Sequence, residues 1–245
     1  MCETHPDDMP SAETVSWPER PIQTERIAVL ASGGGTTFNA IGRAWRDGAI
    51  AADSLTLIAT KPDIGAIEYA RELDIPHAVV DMRGVRDFVE RGDMLKRAMD
   101  ERGILFAHAA GMVLIIEGEV LEMPMTNTHP APMADDPDRR EYGGPGMIGM
   151  RVHERIAADY HRGVTTRAGS SIHLVDEKAD HGPIVRVSSY DIAARAAREV
   201  IDPQKVTAEH LADWTQADER KNNVEVLRVA CKERRLRRLS DIETA

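Results

Sequence analysis

The sequence predicts a single-domain α/β fold: a mostly parallel, twisted sheet with helices on both faces. Three observations predict it. Short apolar runs alternate with amphipathic stretches along most of the 245 residues, the pattern of strand-helix-strand units. The first apolar run ends in a glycine-rich turn that opens directly into an amphipathic stretch. The composition, 42% hydrophobic but only 4% aromatic, calls for a core of Ala, Val, Ile, Leu and Met, which suits strands buried on both faces. Residues 26–245 are read as one domain, preceded by a polar, aperiodic tail at 1–25.

The elements follow in order. Residues 26–31 form a first strand, and Ser32-Gly33-Gly34-Gly35-Thr36 a turn into a helix over 37–45. A strand at 55–59, a helix at 64–73 and a strand at 77–80 come next. Val85, Phe88, Val89, Leu95, Ala98 and Met99 fall on one helical face. Strands at 104–109 and 124–128 precede a Pro- and Gly-rich loop, 130–146, that is too long to be a mere connection. A helix at 148–160 leads to two strands, 170–175 and 184–187, joined by a tight acidic turn. The last helix spans 207–237, with Thr207 as its N-cap and Lys and Arg crowding its far end.

The formal charge of −10 argues against sequence-independent binding to nucleic acid, which needs a basic surface. It leaves room for a small phosphorylated ligand, because backbone N–H groups can hold phosphate in an acidic protein. Cys2 and Cys231 are too few for a disulfide framework or a Cys-based zinc site, and they suit a reducing cytoplasm. No apolar run has the length to span a membrane, and the N-terminus lacks a signal-peptide core. The expectation is a cytoplasmic protein, monomer or homodimer, that works on small molecules without nucleic-acid or membrane partners.

The glycine turn narrows the ligand. Ser32-Gly33-Gly34-Gly35-Thr36-Thr37 opens a helix, so backbone N–H groups and the helix N-terminus can receive an anion. The third glycine of a dinucleotide fingerprint would fall at Phe38, and no Lys stands where a P-loop needs one. A single phosphate fits better than a pyrophosphate. A turn that merely lets the first helix pack closely fits as well.

Chemistry concentrates in Asn127-Thr128-His129-Pro130, at the end of the fifth strand, and in Asp180-His181-Gly182-Pro183. Asn127 and His129 lie two apart, so on an extended segment they face the same side. Acyl transfer to an amine needs a donor for a tetrahedral oxyanion, a group to move the amine proton, and an anchor for that group. Asn127, His129 and Asp180 are the candidates for those three roles, and the chemistry needs no metal. Asn-x-His at a strand end is also compatible with a simple turn holding a satisfied histidine.

These residues resemble the folate-dependent formyltransferases, in order, through most of the chain from Arg26 to about Leu227. Residues 27–36 are similar to the family's first strand and phosphate loop, Asn127-Thr128-His129-Pro130-Ala131 to its Asn-x-His-Pro signature, and 169–184 to the strand and folate-contacting loop ending at its Asp. The resemblance implies the formyltransferase fold, with a Rossmann-like N-terminal half. It implies transfer of a formyl group from 10-formyltetrahydrofolate to the primary amine of glycinamide ribonucleotide, in purine biosynthesis, by direct attack. On it, Asn127, His129 and Asp180 are catalytic, and Gly35, Thr36, Thr37 and Glu219 bind the phosphorylated substrate. Met112, Val113, Leu114, Ile115, Ile116, Val175, Asp176 and Glu177 then border the folate.

Some positions depart from the family pattern. Thr37 stands where Asn is usual, and Gly111-Met112-Val113-Leu114-Ile115-Ile116 lacks the usual aromatic and Arg. An extra charged stretch runs from Asp135 to Glu141. A formyltransferase for another phosphorylated amine, or a phosphosugar-binding homologue without turnover, are the alternatives.

Overall fold

A computed structural model describes residue 17 and residues 23–112 and 116–243, with side chains through residue 232. It divides by contact density into two compact units, one built on Trp17–Asn127 with the helix from Asn223 onward, the other on Thr128–Asn222. Of the 1–25 tail, Trp17 is described together with residues 23–25.

In the first unit the strands are β1 (Arg26–Ala31), β2 (Ser54–Ala59), β3 (His77–Val79), β4 (Phe106–Ala109) and the start of β5 (Met125–His129). They run parallel in the order β3-β2-β1-β4-β5. β1 and β2 are buried from their second residue to their last, which is why they read as unbroken apolar runs. Helices α1 (Thr36–Arg46), α2 (Gly65–Glu72) and α3 (Phe88–Asp100) connect them. Ile27, Val29, Phe38, Ile41, Leu57 and Phe106 centre the core, and Trp17 packs edge-on against Phe106 at 5.9 Å. The strand order reverses between β1 and β4, so the crevice beyond their carboxyl ends is where such a sheet binds ligands.

One expected face is corrected. Asp87 caps α3 by accepting the Val89 and Glu90 N–H groups at 2.8 and 3.0 Å, so Val85 lies outside the helix. Phe88 and Val89 are 37% and 45% exposed, and the buried face is Gly92, Leu95, Ala98 and Met99. Gly92 sets this rotation: a Cβ there would lie 2.0 Å from the Glu117 carbonyl oxygen.

The second unit holds α4 (Met150–His161), the antiparallel pair β6 (Arg167–Leu174) and β7 (Ile184–Asp191), α5 (Ile192–Arg198) and the first part of α6 (Ala208–Glu243). Its core gathers Ala131, Val152, Ile156, Ile192, Leu211 and Trp214. β7 continues past Val187, and α5 was not expected. Asp191 ends the strand and caps that helix, accepting the Ala194 N–H at 2.8 Å. The loop after β5 contains a 3₁₀ turn at Pro137–Arg139. Thr207 sits before α6 and accepts the His210 N–H at 3.4 Å, as an N-cap does.

Candidate active site

β5 carries Asn127 and His129 on alternate positions of one strand, so their side chains leave the same face. The Asn127 side-chain oxygen is buried with no hydrogen-bond partner among the described residues. Buried amides are ordinarily satisfied, and an unsatisfied one is the exception that calls for an explanation.

His129 is buried, and its two ring nitrogens meet different acceptors. Nδ1 lies 3.2 Å from Asp180 Oδ2, and Nε2 donates to the Tyr142 carbonyl at 2.6 Å. Carboxylate and carbonyl can only accept, so both ring nitrogens face acceptors.

Asp180 sits in the connection between β6 and β7, in a left-handed conformation (φ 53°). The Gly144 N–H donates to its Oδ2 at 3.0 Å, and His173 Nε2 stands 3.4 Å from Oδ1. Burial works to raise this carboxyl. The contacts from His129, then His173, and the Gly144 N–H outweigh burial and hold it well below the usual carboxylate range. It is therefore an anion, set against the His129 ring.

The histidines around this pair were not separable by sequence. A register shift in the β6–β7 ladder falls between Ile172 and His173, and bulges of this kind re-aim a side chain. His173 Nδ1 donates to the Leu174 carbonyl at 2.8 Å, so Nε2 is left facing Asp180. His153, on α4, is pushed down to about 4 by burial first and by His129 second, so it is neutral. Tyr142 contributes its backbone, and its hydroxyl is anchored by Asp159 at 3.2 Å. Asp159 is itself held by Arg155 and Arg162. A single histidine near the end of a strand was the sole sequence signal for His173. A backbone carbonyl has none.

In the first unit, the glycine turn follows β1 and Ser32 Oγ donates to the Gly111 carbonyl at 3.3 Å, joining the turn to the segment after β4. Gly35 is left-handed (φ 75°), and a Cβ there would fall 2.4 Å from Ala66 Cα. Gly33 and Gly34 are different: a Cβ on either would meet nothing within 4 Å. α1 has no side-chain cap and no acid in its first turn. Thr36 is exposed there and Thr37 buried. We expect Gly35→Ala to lose about 1–2 kcal/mol from the left-handed backbone alone, and more from displacing Ala66. Gly33→Ala should stay within about ±0.5 kcal/mol of wild type. Denaturant midpoints of the two variants check this.

Of the folate-border residues, Met112 and Ile116 are buried, while Val113, Leu114 and Ile115 lie outside the described residues. Val175, Asp176 and Glu177 begin the connection that bears Asp180. Asp176 is engaged within it, by the Lys178 N–H at 3.0 Å and by His181 at 2.9 Å. Glu219 is half-buried on α6, and burial pushes its carboxyl up to about 7 against the pull of Arg220.

The α/β frame thus carries an imidazole–carboxylate pair, with its histidine at the carboxyl end of β5. Residues 25–217 match the model of the formyl transferase family, and the chain belongs to that family. It is 29% identical over 215 residues to the chloroplastic phosphoribosylglycinamide formyltransferase of Arabidopsis thaliana, covering 86% of this chain and 66% of that one. To the Bacillus subtilis phosphoribosylglycinamide formyltransferase it is 23% identical over 189 residues, covering 76% and 89%. The chain thus spans just under two thirds of the length of the plant relatives. A solved phosphoribosylglycinamide formyltransferase from Bacillus halodurans shares the fold with TM-score 0.65 at 24% identity, over 83% of this chain and 93% of that one. So does a glycinamide ribonucleotide transformylase from Symbiobacterium toebii, with TM-score 0.67 at 22% identity, over 92% and 94%. No described helix is long and apolar enough to cross a membrane.

Proposed function

We propose that this protein transfers a formyl group from 10-formyltetrahydrofolate to the primary amine of glycinamide ribonucleotide. The observation that carries the reading is the contact of Asp180 with His129, which is buried on the strand that bears Asn127. In this reading residues 26–245 are the catalytic domain of a cytoplasmic enzyme that acts on small molecules, as a monomer or homodimer.

The amine nitrogen attacks the formyl carbon, a C–N bond forms, and negative charge collects on the formyl oxygen. Asn127 donates through its side-chain NH₂ to that oxygen. Collapse breaks the bond to the folate nitrogen. The amine has one proton to lose and the folate nitrogen one to gain, and His129 relays it. Asp180 fixes the ring and stabilises its protonated form. The turn at Gly33 and Gly34 takes the substrate phosphate. Neither packing nor backbone conformation requires glycine there, which supports close approach of a ligand. Glu219 takes the ribose hydroxyls.

Purified protein given both substrates should consume formyl-folate absorbance in proportion to acceptor added. An inert wild-type chain would sink the reading. Phosphosugar binding without folate binding, by calorimetry, would favour a homologue without turnover, and turnover with a different phosphorylated amine would relocate the acceptor. Glu219 supplies a further test. Its carboxyl, held up to about 7, becomes a full acceptor only as pH rises past that value. The KM for the acceptor should therefore fall across pH 7 in wild type. Glu219→Gln should remove that limb, and an unchanged profile counts against Glu219 as the ribose ligand.

A further inference from the structure

The charged stretch from Asp135 to Glu141, which departs from the family pattern, hides one buried guanidinium. Arg140 is 8% exposed. Its Nε donates to the Ala134 carbonyl at 2.9 Å and its Nη2 to the Asp135 carbonyl at 3.2 Å. Nη1 reaches across to the next connection, donating to the Asp180 carbonyl at 2.5 Å and to the Gly182 carbonyl at 3.0 Å. A surface arginine spends its donors on water and carboxylates. This one has traded hydration for four backbone carbonyls, two of them flanking His181 in the turn that presents Asp180.

That turn needs a brace. Asp180 is left-handed at φ 53°, a conformation that aspartate adopts more readily than most side chains and that holds one orientation only where neighbouring contacts fix it. On its far side Gly182 is pressed onto β6, where a Cβ would lie 2.0 Å from the Leu174 carbonyl oxygen. Two residues beyond Arg140, Tyr142 offers its carbonyl to His129, and two further on the Gly144 N–H donates to Asp180 Oδ2. Gly143, between them, lies so close that a Cβ would sit 3.4 Å from Asp180 Cβ. Residues 140–144 thus form an arch over the pair, and Arg140 is its foot.

We propose that Arg140 is a positioning residue for formyl transfer, fixing the Asp180–Gly182 backbone so that the Asp180 carboxylate meets His129. This rests on the function proposed above for the same site. A rigid planar fork is required, because only a guanidinium offers donors in several fixed directions at once. Lysine, a single flexible donor, reaches one carbonyl and lets the turn relax.

The experiment compares wild type, Arg140→Lys and Arg140→Met by steady-state kinetics, by thermal melting and by NMR titration of the His129 ring. Misplacing a catalytic group by about an ångström lowers rate by roughly 10²-fold. Both folded variants should therefore lose about 10- to 100-fold in kcat, with KM for each substrate within about twofold of wild type. The His129 titration midpoint should move toward that of Asp180→Asn. Millimolar methylguanidinium should recover part of the kcat of Arg140→Met, where equal sodium chloride does not. Folded variants with unchanged kcat and unchanged His129 titration overturn the proposal. Loss of folding in both variants also overturns it, since Arg140 would then serve the fold at large. If wild type is inert but the His129 titration still moves in Arg140→Lys, the positioning role stands and formyl transfer falls.

Discussion

His129→Ala should lower kcat for formyl transfer by about 10²–10⁴-fold, the range associated with losing a positioned acid–base group. KM for either substrate should change little. The ring is buried between two acceptors, so its removal strips a partner from the Tyr142 carbonyl and from Asp180. Each buried polar group left unsatisfied costs about 1–3 kcal/mol, and the variant must be shown to be folded before its rate is read. His129→Gln is the companion variant: its amide can still donate toward one of the two acceptors but cannot relay a proton. Steady-state rates of both, beside their thermal melts, check the claim. If His129→Gln retains wild-type kcat, the imidazole is not the proton relay.

Legibility was uneven, for physical reasons. β1 and β2 were readable because burial on both faces leaves an unbroken apolar run, and the glycine turn because a left-handed Gly35 has few substitutes. α3 misled because its first turn carries Phe88 and Val89 on the outside: apolar residues are common on surfaces, and only Gly92 recorded which side packs. α5 was missed because its cap, Asp191, also ends a strand. At the site, Asn127, His129 and Asp180 stood out as a chemical set, and the structure brings His129 and Asp180 into contact. Their supports did not stand out. Tyr142 and Gly144 act through backbone atoms, which have no residue signature, and His173 owes its aim to a bulge. Arg140 lay among charges that read as a solvated rim. Which member of a charged run turns inward depends on where unpaired carbonyls lie in the fold, and periodicity carries no record of that.

Asp180→Asn should be the cleaner test of charge, because asparagine keeps the shape of the side chain and one acceptor oxygen. Oδ1 of the asparagine can take the place of Asp180 Oδ2 and accept from His129 and the Gly144 N–H. Its NH₂ then faces His173 Nε2, which stands 3.4 Å from the other carboxylate oxygen. The fold should survive, and the anion is what is lost. Without it the protonated His129 ring loses its counter-charge, and kcat should fall by about 10²–10⁴-fold. Stability supplies an independent readout. The native Asp180 carboxyl is held well below the usual range, so below the unfolded value of about 3.9 the unfolded chain binds more protons. The stabilisation is present above that value and drains away as pH falls toward the native pKa. Wild type should therefore lose more thermal stability than Asp180→Asn on acidification below about pH 4. Melting curves across that window decide it: parallel losses in the two proteins would mean that Asp180 is not the ionised partner of His129. A full kcat in Asp180→Asn would mean that the ring needs orientation but no counter-charge.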